Sequence, residues 1–189
     1  LLAAGVLCLA DVHTQARAEN PYKIGVIIPL SGQTASLGTY LKKGIDLAYD
    51  SLSPEQKSRI RLIYEDDRME VPRSVSAFQK LSASEGIRAV MVAGSGVGMA
   101  VAPLAENRRS ILIALGASNF NVVKDRRYAF IHWVTPEKEA DVMVAEIRKR
   151  EISRIALIAQ EQEGFIALFD ALEKSLAKQN MSGQVVVNE

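Results

Sequence analysis

The chain has 189 residues, 48% hydrophobic and 24% charged, a composition that can build one or two modest cores. A formal net charge of +1 argues against nucleic acid or an anionic membrane as a partner. Past the first residues no apolar run reaches the roughly 18 residues of a membrane-spanning helix, so membrane insertion of the mature chain is not expected.

The N-terminus reads as a targeting segment. Leu1–Ala10 is apolar, and Ala16-Arg17-Ala18 has the small-x-small form of a signal-peptidase site. Residues 1–18 are therefore predicted to be a signal-peptide remnant, cleaved near Ala18, and the protein to be exported to a periplasm. A buried first helix is the competing reading, but Asp11, His13, Gln15 and Arg17 show no amphipathic spacing. Cys8 is the only cysteine and follows Val6-Leu7, not the small residues that a lipid anchor requires. The mature part thus has no disulfide, thiol nucleophile or cysteine-ligated metal.

Strands and helices then alternate. Lys23–Leu30 reads as a buried strand and residues 36–51 as a helix with Leu37, Leu41, Ile45 and Ala48 on one face. Ser53-Pro54 marks a turn, and Arg59–Tyr64 a second strand. A helix over 71–84 runs through Val75, Phe78 and Leu81 and stops at Gly86. The third strand is Ala89–Ala93, followed by a helix over 97–107, and the fourth is Ile111–Leu115. This order implies right-handed crossovers and a parallel sheet.

After Ser118 the rhythm breaks. Residues 119–127 are polar, and Tyr128–Val134 is extended with no helix before it. Thr135-Pro136 opens a helix as N-cap and first-turn proline, with Ala140, Met143, Val144 and Ile147 as its buried face. A strand over 154–159, a helix over 164–178 and a strand beginning at Gln184 follow. The expected division is a leader to residue 18, an N-terminal α/β lobe over 19–120, and a crossover or hinge over 121–134. The start of a second lobe, 135–189, is read as incomplete, because one helix-strand-helix-strand run makes a poor sheet.

Candidate binding residues lie at the ends of the strands, where open α/β sheets bind ligands. Gly94-Ser95-Gly96 joins strand to helix and offers a hydroxyl beside N–H groups that favour a carboxylate or phosphate. A plain N-cap role for Ser95 fits the local pattern equally well. Gly116-Ala117-Ser118 leads into no obvious helix, so its N–H groups and hydroxyl are not needed for capping. Ser31-Gly32-Gln33-Thr34 either lines the crevice or only turns the chain, the latter being the safer reading. Asp66-Asp67 is read as a cap or brace in preference to a metal or acid–base pair.

No cofactor or metal is expected. The dinucleotide fingerprint fails, with Met99 where its third glycine belongs and Asn119 near where its acidic residue belongs. His132 has no second histidine or cysteine to share a metal. No nucleophile–base pair or nucleophile elbow is present, so an enzyme is disfavoured.

Lys23–Gly32, Leu62–Asp67, Val90–Ser95 and Ala114–Ser118, taken together and in this order, resemble the branched-chain amino acid (Leu/Ile/Val) class of ABC-transporter substrate-binding proteins, the type I periplasmic binding proteins. The resemblance spans roughly residues 22–189. It implies two doubly wound parallel-sheet lobes, the second truncated here, joined by a hinge and closing on a ligand. It further implies that Ser95, and Gly116 with Ser118, hold the carboxylate and amino group of an amino acid or similar small polar solute, which is delivered to an ABC permease. Two positions depart from the family pattern. Leu37 stands where an aromatic is usual, and Glu163-Gly164 where Tyr-Gly usually opens a helix of the second lobe. Glu163 is accordingly expected either to face the cleft and favour an amine-bearing ligand or simply to lie on the surface. A sensor ectodomain or regulatory module of the same fold is the alternative function.

Overall fold

The computed structural model describes residues 20–158, 163–181 and the backbone of 185–188. The leader over 1–18 and the ends of two expected strands, at Ala159 and Gln184, lie outside the described residues.

Five parallel strands form the first sheet: β1 (Tyr22–Ile28), β2 (Ile60–Asp66), β3 (Ala89–Ala93), β4 (Ile111–Leu115) and β5 (Ala129–His132), in the spatial order β2-β1-β3-β4-β5. Both of its faces are covered, which is why the central strands read as unbroken apolar runs. On one face Ile27, Val90, Val92 and Leu112 pack with Phe78 of one connecting helix, with Leu81 just past its end, and with Val97 and Val101 of the next helix. These helices are α3 (Val71–Lys80) and α4 (Ser95–Asn107). On the other face Val26, Ile28 and Ala93 meet Leu41 and Ile45 of α1 (Ala35–Asp50).

The helix α1 sits close to the chain leaving β1, since a Cβ on Gly38 would overlap the Pro29 carbonyl. A polar contact adds to this. Tyr64 of β2 donates to Asp46 Oδ1 at 2.6 Å, and Lys42 pairs with the same carboxylate. Lys42 and then Tyr64 hold Asp46 below the usual carboxylate range, while burial and then Asp46 raise the Tyr64 phenol.

Several local expectations change. Ser53 does more than turn the chain. It caps a short helix, α2 (Pro54–Ser58), through a capping box with Gln56. The second strand runs on to Asp66, and α4 starts two residues early, at Ser95. After α3 the helix widens into one π turn, Leu81–Glu85, before the chain reverses at Gly86 with φ 63°. Leu37 and Ala48, placed on the buried face of α1, are exposed. Residues 129–132, expected in a linker, pair with β4 in the register Leu112↔Ala129 and so extend the first sheet. The preceding crossover holds only a 3₁₀ turn, Phe120–Val122.

The second unit begins with α5 (Pro136–Lys149) and continues through β6 (Ile155–Leu157), α6 (Glu163–Lys178) and β7 (Val185–Asn188), with β6 and β7 parallel. Ala140 and Val144 pack against Leu157, Leu172 and Leu176. Ser175 donates to Asp141 at 2.8 Å across the two helices. Met143, expected in this core, is 41% exposed.

Phe78 is fully buried at the centre of the larger core. Phe78→Ala is expected to cost about 3–5 kcal/mol, read from the denaturant midpoint of the two proteins, since it removes a ring the surroundings cannot refill.

Candidate functional site

All five strands are parallel, so their C-terminal ends share one edge of the sheet. The chain leaves β1 for β2 on one side and returns to β3 on the other, which opens a crevice between the ends of β1 and β3. Ser95 stands on that crevice.

The N-cap of α4 is Gly94, with φ 78°. A side chain there would be strained by the backbone, and a Cβ would come within 2.7 Å of Met69 Cε. Gly94 donates its N–H to the Leu115 carbonyl at 2.9 Å, drawing the ends of β3 and β4 together. Ser95 is therefore the first helical residue, and its hydroxyl does not cap the helix. Instead Ser95 Oγ accepts the N–H groups of Ser118 at 3.2 Å and Asn119 at 3.3 Å. The cap reading of Ser95 is thereby corrected.

This arrangement leaves hydrogen-bond donors available. Accepting two N–H groups uses the lone pairs of Ser95 Oγ and leaves its own proton to donate. Ser118 Oγ has no partner among the described residues, and Ser95 and Ser118 are only 6% and 7% exposed. The N–H groups of Ser95, Gly96 and Val97, in the first turn of α4, have no intrahelical acceptor. Gly116 turns the chain with φ 63° and is exposed. Ala117 differs from the expectation. Its side chain is fully buried in the main core, so only its backbone reaches the edge.

The loop after β1 is tied down. Asp66 Oδ1 accepts the N–H groups of Leu30 at 2.8 Å, Arg68 at 3.1 Å and Ser31 at 3.2 Å, and Oδ2 accepts the Ser31 hydroxyl. Arg68 Nε donates back to Ser31 Oγ at 3.1 Å. Asp67 is fully buried and accepts from Met69 N at 2.9 Å and Ser74 Oγ at 2.7 Å. The acidic pair is thus a brace, as its sequence favours, and the Ser31 hydroxyl belongs to that brace. Gln33 is exposed and Leu37 is 41% exposed at the start of α1. Thr34 Oγ1 is buried with no partner among the described residues.

Arg68 and Met69 both have positive φ, 53° and 61°. That turn swings Met69 back into the core, over Gly94. No sequence signal marks Met69, because a lone methionine in a polar loop carries no periodicity. The Asp66 brace does have a signal, the Asp-Asp pair itself.

The second unit closes over this edge. The start of α6 faces the two serines, so that a Cβ on Gly164 would lie 3.5 Å from both Ser95 Oγ and Ser118 Oγ. Glu163 Cγ would lie 3.8 Å from a Cβ on Gly96. Glu163 is exposed and sits at this junction of the two units. Of the expected residues, Ser95, Ser118 and Glu163 come to the junction, whereas Ser31 is held in the neighbouring loop.

Among the described residues no three His, Cys, Asp or Glu side chains converge to hold a metal. No described helix is long and apolar enough to cross a membrane. A surface depression at the far end of α4, lined by Pro103, Glu106, Asn121 and Arg126, has its polar atoms committed locally. There Glu106 accepts from Arg127 N and Tyr128 N, and Arg126 donates to three carbonyls.

A doubly wound parallel sheet thus has its strand ends covered by a second α/β unit. The family model described as periplasmic binding protein matches residues 21–189, and the chain belongs to that family. Among solved structures, a leucine-binding protein from Thermotoga maritima superposes with a TM-score of 0.78 at 20% identity, over 88% of this chain and 48% of that one. An ABC-transporter solute-binding protein from Rhodopseudomonas palustris, in complex with 3,4-dihydroxybenzoic acid, gives 0.78 at 19% identity, over 89% and 47%. A branched-chain amino acid transporter substrate-binding protein from Streptococcus pneumoniae, in complex with isoleucine, gives 0.76 at 19%, over 88% and 48%. The chain spans about half the length of these structures. No curated protein matches it.

The Ser31 hydroxyl, with the N–H groups of Arg68, Leu30 and Ser31, holds Asp66 below the usual carboxylate range. The folded value lies below the unfolded one, so this brace is complete above about pH 4 and is lost as pH falls through the depressed value. Asp66→Asn is therefore expected to melt lower than wild type at about pH 6, with the gap closing as pH falls below about 4. Thermal melts of both proteins down to about pH 2 check this, and a gap independent of pH contradicts it.

Proposed function

We propose that this protein captures a small solute bearing a carboxylate between its two lobes and delivers it to an ABC permease after export to the periplasm. One observation carries the reading. Two buried serines at the ends of β3 and β4, beside the first turn of α4, face the start of α6 from the other unit. Hydroxyl protons and first-turn N–H groups are all donors, and a carboxylate is an acceptor with four lone-pair sites. Ser95 and Ser118, with the backbone of Gly116 and Ala117, form the carboxylate side of the site. Gln33, in the loop after β1, and Leu37, at the start of α1, are the weaker candidates to flank it.

Glu163 sets the class of solute. Its carboxylate belongs to the opposite lobe and adds negative charge to an edge otherwise made of donors. It suits the ammonium of an amino acid better than a benzoate, which has no cation to offer. Contacts from both lobes favour the closed form, because only that form engages both ends of the solute.

Calorimetry of the full-length protein with L-leucine, L-isoleucine and 3,4-dihydroxybenzoate tests the reading, and failure of all three to bind refutes it for these carboxylate classes. Ser118→Ala is expected to weaken the bound carboxylate by about tenfold with no change in melting temperature, because no protein hydrogen bond is lost. Ser95→Ala is expected to lower both affinity and stability, the latter by about 1 kcal/mol, since the N–H groups of Ser118 and Asn119 lose their acceptor. Glu163→Gln is expected to weaken the amino acids and leave 3,4-dihydroxybenzoate unchanged. Equal effects on both classes contradict the role given to Glu163.

A further inference from the structure

The first turns of α4 and α6 meet with no side chain between them. The would-be Cβ of Gly164 lies 3.5 Å from each serine oxygen, and that of Gly96 lies 3.8 Å from Glu163 Cγ. These are ordinary contact distances, so the gap has room for a Cβ at either position and little beyond it. Anything longer at Gly164 must take the space of Ser95 and Ser118. Those two residues cannot step aside, since both are more than nine-tenths buried and Ser95 Oγ is held by two N–H groups.

Backbone conformation does not explain these glycines. The described glycines with positive φ are Gly32, Gly86, Gly94 and Gly116, so neither Gly96 nor Gly164 needs the freedom that glycine allows. Each stands in the first turn of a helix, where glycine is a poorer helix former than alanine. Their small size is therefore what the junction uses.

We propose that Gly96 and Gly164 set the closed distance between the lobes. Gly164 lets the second lobe descend onto the hydroxyl pair, and Gly96 admits the stem of Glu163. Both are positioning residues that act through Ser95, Ser118 and Glu163. This deepens the capture reading given above and rests on it.

The contact can be tested without a ligand. In the mature full-length protein, with any cysteine outside the designed pair replaced by serine, Gly96→Cys and Glu163→Cys place two sulfurs across the junction. Their Cβ atoms are expected to come within the roughly 3.5–4.5 Å that a disulfide requires. Mild oxidation should cross-link this pair. Adding Gly164→Leu should cut the yield by about tenfold, because the longer side chain shifts the open–closed equilibrium toward open. Gly164→Ala should stay close to the parent, because a Cβ there makes only ordinary contacts. No cross-link in the parent pair, or an equal yield with leucine at 164, overturns the proposal.

Affinity is the second readout. Gly164→Leu in the otherwise native protein should raise the Kd for L-isoleucine or 3,4-dihydroxybenzoate by about tenfold with an unchanged melting temperature. An unchanged Kd also overturns the proposal. If neither solute binds the wild-type protein, the capture reading fails for both, while the cross-linking series still decides the role of the glycines.

Discussion

The Ser95 hydroxyl accepts the amide protons of Ser118 and Asn119, and through that oxygen the ends of two central strands become one surface. Ser95 starts α4, whereas Ser118 follows β4, so the bond joins a helix terminus to a loop that no helix follows directly. Gly94 makes it possible by taking the cap position and donating to Leu115. The resulting edge is rich in donors and has no formal positive charge of its own. Such an edge attracts an anion by oriented dipoles, which hold a small solute without the desolvation cost of a buried cation.

The neighbouring loops are held by two acids, Asp66 at the surface and Asp67 buried. Asp66 and Asp67 accept six backbone or side-chain donors from the loop after β1, their own loop and α3. A carboxylate committed in this way stiffens a loop, because a loop supplies few backbone partners of its own. Met69 adds an apolar tie, turned back by two consecutive residues in the left-handed region and packed over Gly94. The crevice edge is thus rigid where it belongs to the first lobe.

The two units have separate cores. One lies on both faces of the five-stranded sheet, and the other lies between α5, α6 and β6. What joins them at the strand ends is a contact of glycines, hydroxyls and one acidic side chain. None of the apolar clusters spans that contact. A solute that bridges it has correspondingly large leverage on the closed state.

The pattern of elements was legible in the residues. Ala89–Ala93 and Ile111–Leu115 are strands with the same bounds by sequence and by structure, because strands buried on both faces show as short apolar runs between glycines and polar turns. The helices followed from their apolar periodicity, and the acidic pair from its turn chemistry. Other features were not legible. The capping box Ser53–Gln56 was present in the sequence, but five residues are too few for a periodic signal. β5 follows a polar loop with no helix before it, so it read as linker until its pairing with β4 was seen.

The sequence by itself determined which segments become strands and helices, and that small polar residues stand at the strand ends. Burial of an apolar side chain is a local preference, written every two or every three to four residues. Only the tertiary structure decided what those polar residues do. It made Gly94 the cap and Ser95 the tie, buried the Ala117 side chain, spent Ser31 on Asp66, and set Gly164 over the two hydroxyls. Each of these assignments depends on which strand lies beside which and on how the second unit settles over the first. A hydroxyl whose local surroundings suit both a cap and a ligand takes its role from partners far away in the chain.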